Sequence, residues 1–243
     1  INDITRTIKE FDKAYCIVDQ ASEIKVQFEE RYFPIVSHSE NKAIEKFWKE
    51  AQSSKNLHDG KVLYYLSHET NGEKLIIKAF WGAYRYFYYA LNHPKLGLDF
   101  MPLAVSGVCL DKRGFTLTAK RENVTEYSNS RELVPSGGIS ETVSSDGSID
   151  FHKQLLIELF EEASIKSGNV LKVKEIGLVL DLSNQVMDIC CQIDLCEYFK
   201  PSSIDNEEYS SLSWTNLSKL DCDELIPTSR GILNIVGKNR DSK

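Results

Sequence analysis

Short apolar runs, separated by polar turns, mark most of the chain. Ala14 to Asp19 predicts a short strand. Asn41 to Ser53 predicts a helix, because Ile44, Phe47 and Trp48 recur at helical spacing. Lys61 to Ser67 and Lys74 to Phe80 predict two strands, and the Asn71-Gly72 pair between them is a hairpin signal. Gly82 to Tyr89 is an aromatic block. Such blocks usually form core or interface; the second reading is a surface that stacks on a base.

The second half is patterned more sharply. Leu103 to Leu110 and Phe115 to Lys120 predict strands around an Asp111-Lys112-Arg113-Gly114 turn. Asp150 to Ile165 predicts a long helix, and Val173 to Asp181 and Val186 to Cys196 two further strands. Pro201 to Glu208 reads as a polar loop, Trp214 as the start of a short segment, and Pro227 to Val236 as a terminal helix. Strands and helices do not alternate at regular βαβ spacing. That favours an α+β or mixed-sheet sandwich over a doubly wound sheet.

Composition narrows the function classes. At 243 residues, with 42% hydrophobic and 27% charged residues, the chain suits one large globular domain or two small ones. No run of 18 apolar residues occurs, so a membrane-spanning helix is not expected. The net charge of −7 argues against a nucleic-acid partner, whose phosphates call for a basic footprint. The six cysteines, Cys16, Cys109, Cys190, Cys191, Cys196 and Cys222, contain no C-x-x-C pair and lie largely in apolar runs. They read as buried free thiols of a reducing, cytoplasmic compartment. Cys190 and Cys191 should point to opposite faces of their strand. The five histidines form no metal-ligand spacing.

The chemistry concentrates on the predicted helix at 150–165. Glu158, Glu161 and Glu162 stand at i, i+3 and i+4 and share one face, with Asp150 and Gln154 toward the same side. Leu155, Leu156, Leu159 and Ala163 lie toward the other. Three carboxylates this close repel one another, and a hard cation would offset the repulsion. The plainer reading is a solvated acidic surface.

The order of elements around this helix resembles the Nudix hydrolase family, whose box runs from a glycine to an Arg-Glu-apolar-x-Glu-Glu-x-Gly-apolar helix. Gly138 matches the opening glycine, Glu158, Glu161 and Glu162 the metal-binding glutamates, and Ile165 the last apolar position. Trp214 and Leu217 resemble the residues that follow the late strands. The chain departs from the pattern at Ile157, which replaces the box arginine, and at Ser164, which replaces the last glycine. Gly138 stands 20 positions before Glu158, so the loop is longer than the family's. Lys153, one turn before Ile157, is a candidate substitute for the missing cation. Tyr84-Arg85-Tyr86-Phe87, followed by Asn92, is similar to a motif of Nudix-type UDP-sugar pyrophosphatases.

The resemblance implies an α+β fold: a Nudix-like mixed-sheet α/β/α sandwich over residues 100–243, with residues 1–99 as a β-rich extension packed on it. It implies a pyrophosphohydrolase dependent on Mg²⁺ or Mn²⁺, acting on a nucleoside diphosphate linked to a second group, with nucleotide sugars among the candidates. Glu158, Glu161 and Glu162 would hold the metal and carry catalysis. Tyr84, Arg85, Arg121, Gly137 and Gly138 would bind substrate, with Arg131 a further candidate for phosphate. The general base would be a helix glutamate or one of Asp188, Asp194, Glu207 and Glu208. The expected partner is a small-molecule nucleotide, with a homodimer left open. The alternative is a Nudix-like module of weak or no activity that binds a nucleotide or a protein.

Overall fold

The computed structural model describes residues 10–241 apart from 12, 31, 35, 56, 123–126, 146–147, 197–207 and 221. The expected polar loop at 201–208 therefore lies almost wholly outside the described residues. The first elements are β1 (Glu10–Phe11), β2 (Tyr15–Asp19), β3 (Glu23–Phe28), α1 (His38–Ser54), β4 (Lys61–Asn71), β5 (Lys74–Ala83) and α2 (Tyr84–Asn92). There follow β6 (Leu103–Leu110), β7 (Phe115–Arg121), β8 (Arg131–Leu133), β9 (Ser136–Gly138), β10 (Ser144–Ser145) and β11 (Ser148–Ile149). The chain then forms α3 (Phe151–Ala163), β12 (Val170–Asp181), β13 (Val186–Leu195), β14 (Tyr209–Asn216) and α4 (Pro227–Asp241). Among the described residues none of the helices is long and apolar enough to cross a membrane.

Two mixed sheets result. The larger has nine described strands in the order β1-β2-β12-β13-β6-β7-β14, with β8 paired to β7 and β9 to β6. Its β13–β6 pair is parallel and its other pairs are antiparallel. The second has five strands, β10-β11-β3-β5-β4, with β3 and β5 parallel. Strand pairing crosses residue 99 in both directions: β2 lies against β12 in the larger sheet, and β11 against β3 in the smaller.

The pleat of the large sheet sorts its residues between two helices. Cys191, Cys109 and Leu178 pack on one face with Leu155 and Leu159 of α3. Their chain neighbours Cys190, Val108 and Val179 pack on the other face with Ile232 and Ile235 of α4. This is the expected α/β/α layering, and the two adjacent cysteines do point to opposite faces, as the period of two requires. All six cysteines are free thiols, four of them buried. The aromatic block becomes helix α2, with Phe87, Tyr88 and Tyr89 buried. It packs through Trp48 and Phe47 onto α1 and through Phe87 toward Tyr64, Phe80 and Phe100. Dense aromatic side chains fill this layer, as the core reading anticipated.

Helix α3 positions the acidic residues. Asp150 caps its start, accepting the Lys153 N–H at 2.9 Å, which satisfies one of the helix's orphan donors. Leu155, Leu159 and Ala163, spaced four apart, are buried against the sheet. Full burial of each leucine contributes about 2 kcal/mol. Ser164 ends the helix in the left-handed region at φ 56°, a conformation that favours glycine.

Candidate functional site

The site is built where α3 crosses β9. Gly137 pairs with Val105 of β6 and Ser136 with Ser106, which sets β9 across the face that carries α3. The Glu158 carboxylate packs directly on Gly137. A Cβ placed there would meet Glu158 Oε2 at 2.6 Å, so only glycine fits without moving that carboxylate. At Gly138 the same position is open space. Of the expected glycine pair, therefore, one has a steric reason for lacking a side chain and the other has none.

The three helix glutamates occupy three environments. Glu161 is exposed. Glu158 is half-buried and accepts the Gln154 amide at 2.6 Å on Oε1. Burial, reinforced by the charges of Glu161 and Glu208, pushes its carboxyl up to about 7. Glu162 is buried; its Oε1 accepts the Tyr209 hydroxyl at 2.6 Å and its Oε2 the Ser136 N–H at 3.0 Å. Its carboxyl stands well above the ordinary range, through burial first and then the nearby Glu132 charge.

Glu132 is fully buried in β8 and was not singled out by sequence. Arg121 Nη1 donates to both its oxygens, at 2.8 and 2.7 Å. Burial still raises the Glu132 carboxyl, against the pull of that guanidinium. Strand register makes this cluster: Glu132 lies opposite Ala119, and Tyr209 opposite Arg121. Arg121 is thus the cation that reaches the acidic set. Lys153, the substitute suggested by helical spacing, is exposed.

A polar cavity of about 300 Å³ opens beside the cluster, with Tyr84, Arg121, Glu132, Gly137, Asp188 and Glu208 in its wall. Asp188 is buried in β13 and accepts the hydroxyls of Ser106 and Thr228, each at 2.8 Å. Burial, helped by the Asp181 and Glu132 charges, pushes it up to about 7 despite those donors. Of the expected substrate-binding residues, Tyr84, Arg121 and Gly137 line this cavity. Arg85 does not. It pairs with Asp59, both through its N–H at 3.0 Å and through Nη1, and lies over the Tyr86 ring. Arg131 faces Glu224 at 3.4 Å. Asp194 lies further along β13, bonded to Gln192, and is not in the lining. Glu207 lies outside the described residues.

Among the described residues, no three His, Cys, Asp or Glu side chains are gathered closely enough to hold a metal ion. The donor chemistry nevertheless fits a hard divalent cation. Half-buried Glu158 and exposed Glu161 stand at i and i+3 on α3, and the Glu158 carboxyl, raised first by burial, is raised further by the Glu161 charge, a repulsion that a cation would relieve. Glu162 has both oxygens engaged inside the protein.

The sequence carried a signal for the missed Glu132, as it did for Asp188, one of the expected general-base candidates. Asp188 interrupts the apolar run Val186-Met187-Asp188-Ile189, and Glu132 precedes the apolar pair Leu133-Val134. A lone carboxylate in an apolar strand either finds partners or serves chemistry.

No family model and no curated protein matches this chain. Among solved structures it is similar to the Nudix domain of Shewanella oneidensis NrtR complexed with ADP ribose. The identity is 16%, over 63% of this chain and 96% of that one, with a TM-score of 0.46. It is also similar to a MutT protein from Methanosarcina mazei Go1, at 19% identity over 56% and 94% of the two chains, TM-score 0.38. A third likeness is to RenU, a Nudix hydrolase from M. smegmatis, at 12% identity over 58% and 84%, TM-score 0.42.

Proposed function

We propose that this protein hydrolyses a nucleoside diphosphate linked to a second group, in a reaction that depends on Mg²⁺ or Mn²⁺. The observation that carries the reading is the seating of the Glu158 carboxylate on the bare backbone of Gly137, which lines the polar cavity while Glu158, Glu161 and Glu162 stand behind that lining. A glycine whose missing side chain makes room for a helix carboxylate raised to about 7 is an arrangement for chemistry more than for folding.

Glu158 and Glu161 would hold the cation. When bound, it supplies charge neutralisation at the diphosphate oxygens and acidifies water. Glu162, tied to Tyr209 and Ser136, anchors α3 against β14 and β9 and keeps Glu158 in place. Arg121, paired through Nη1 with Glu132, brings its guanidinium to the cavity wall, where phosphate oxygens would lie with a cation offsetting the surrounding carboxylates. Asp188, pushed up to about 7 by burial and holding the Ser106 and Thr228 hydroxyls, and Glu208 are the general-base candidates in the cavity wall. Tyr84 forms part of the same wall.

The second reading is a nucleotide-binding module without turnover. The internal engagement of both Glu162 oxygens favours it, because a ligand with two protein partners is less available to metal. A panel of nucleotide sugars, incubated with Mg²⁺, Mn²⁺ or a chelator and coupled to phosphatase, separates the two. Metal-dependent phosphate release that Glu161→Gln abolishes supports the hydrolase. Binding without release supports the module, and neither binding nor release removes both.

A further inference from the structure

A second cavity adjoins the polar one. It measures about 350 Å³, within the range of about 300–1,000 Å³ typical of small-molecule sites. Phe87, Leu91, Leu98, Phe100, Met101 and Leu182 give it apolar walls. Phe87 lines both cavities, so the two meet at one ring. The β12–β13 turn forms the ridge between them. Asp181, Asn184 and Val186 face the polar cavity, and Leu182, Ser183 and Gln185 the apolar one. That ridge is well held: Asp181 accepts the Ser183 and Asn184 N–H groups at 2.8 and 3.1 Å and the Tyr127 hydroxyl at 2.8 Å.

We propose that the apolar cavity between α2, the 94–101 segment and the β12–β13 turn binds the nucleobase of the ligand whose diphosphate lies in the polar cavity. This rests on the reading given above. A base has apolar faces and a hydrogen-bonding edge, and the cavity has both features. Phe87, Phe100 and Leu182 offer surface for the ring faces. The remaining lining includes residues able to accept from edge N–H groups: exposed Asp99 and Ser183 at the rim and half-buried Gln185. Gln185 spends its amide on the Leu182 carbonyl at 2.7 Å, which leaves Oε1 to accept. An acyl chain would use the walls but make no use of the half-buried Gln185 acceptor. The order of the cavities also fits one ligand: apolar site, shared Phe87, polar site, Gly137 and then Glu158.

The test uses binding rather than turnover. Calorimetric titrations with Mg²⁺ present compare ADP, GDP, CDP and UDP with inorganic pyrophosphate, which lacks a base. At least one nucleotide should bind ten-fold or more tightly than pyrophosphate. Ala90→Arg fills the cavity from α2, where Ala90 is half-buried beside the aromatic core, and Ser183→Trp fills it from the exposed turn. Each variant, checked by its melting curve, should lose the nucleotide's advantage while its pyrophosphate affinity stays within about two-fold of the parent's. Nucleotides no tighter than pyrophosphate in the parent, or an advantage that survives in both folded variants, would overturn the proposal. If the advantage is lost as expected but no nucleotide derivative is ever hydrolysed, the base site stands and the hydrolase reading falls.

Discussion

The carboxylate of Glu158 occupies the space that a side chain on Gly137 would need, with Oε2 2.6 Å from where a Cβ would stand. The displaced atoms are the far end of a flexible side chain, so the fold can yield where the chemistry cannot. Gly137→Ala should therefore cost no more than about 1 kcal/mol in stability yet lower kcat on the order of 10²-fold. Gly138→Ala, with open space at its Cβ, should leave both close to the parent. Melting curves beside turnover on the best substrate of the panel decide it. Equal activity losses in the two variants would remove the steric argument.

Glu161 and Glu162 should separate by mutation. Glu161→Gln removes an exposed carboxylate offered to metal; turnover should fall about 10²-fold with Tm unchanged. Glu162→Gln removes a buried charge while its amide can still serve both Tyr209 and Ser136. The raised folded pKa means that the native state keeps a proton that the unfolded chain releases. The parent thus loses stability as pH rises above the ordinary carboxylate value. Without added metal, Glu162→Gln should melt no lower than the parent at pH 8. A clear fall in Tm there would show that the ionised carboxylate stabilises the fold.

Asp188 gives a pH window that can be checked. Its folded pKa of about 7 lies above the unfolded value of about 3.9. Between those values the folded state binds the extra proton, so stability is greatest on the acid side and declines as pH rises toward 7. Asp188→Asn should flatten this slope and raise stability at pH 8 by on the order of 2 kcal/mol, with little change at pH 4. Urea midpoints at the two pH values supply the measurement. A variant as pH-dependent as the parent would show that another group sets the slope.

The Arg121–Glu132 pair should behave as a buried ion pair. Removing only the cation leaves Glu132 without a counter-charge, so Arg121→Gln should cost about 3 kcal/mol at pH 8. The cost should shrink as pH falls, because burial raises the Glu132 carboxyl and favours its protonated form. Arg121→Gln with Glu132→Gln should recover most of the loss. A double-mutant cycle by thermal melts reads the coupling, and strictly additive losses would contradict it.

Because β2 and β11 each pair across residue 99, a nick in the segment after α2 should not release a separate N-terminal piece. Limited proteolysis followed by size exclusion should show both fragments in one peak. Elution of a stable fragment of residues 1–95 alone would overturn this.

The helix at 150–163 was legible because its information is local: an Asp150 cap, leucines four apart, and glutamates that must share a face. The alternation that sends Cys190 and Cys191 to opposite faces is equally local. Strand β3 carries a clean alternation in Glu23-Ile24-Lys25-Val26-Gln27, and reading that period would have found it. Helix α2 was harder, since a run of aromatics satisfies helix and strand patterns alike.

What the sequence determined by itself was each element's own faces, caps and turns, since these depend on residues within a few positions of one another. It therefore placed the acidic face of α3 and singled out Gly137 and Gly138. Which glycine mattered, and what surrounds each carboxylate, was decided by tertiary structure. Glu158 meets Gly137 through the crossing of α3 over β9. Tyr209 reaches Glu162 across 47 positions, and Thr228 reaches Asp188 across 40, through strand register and the docking of α4. Arg85 was drawn away by Asp59, 26 positions earlier. Burial and register are properties of the assembled sheet, and with them come the pKa shifts of Glu158 and Asp188. Those shifts arise from desolvation and from charges brought together by packing, which no short window of residues contains.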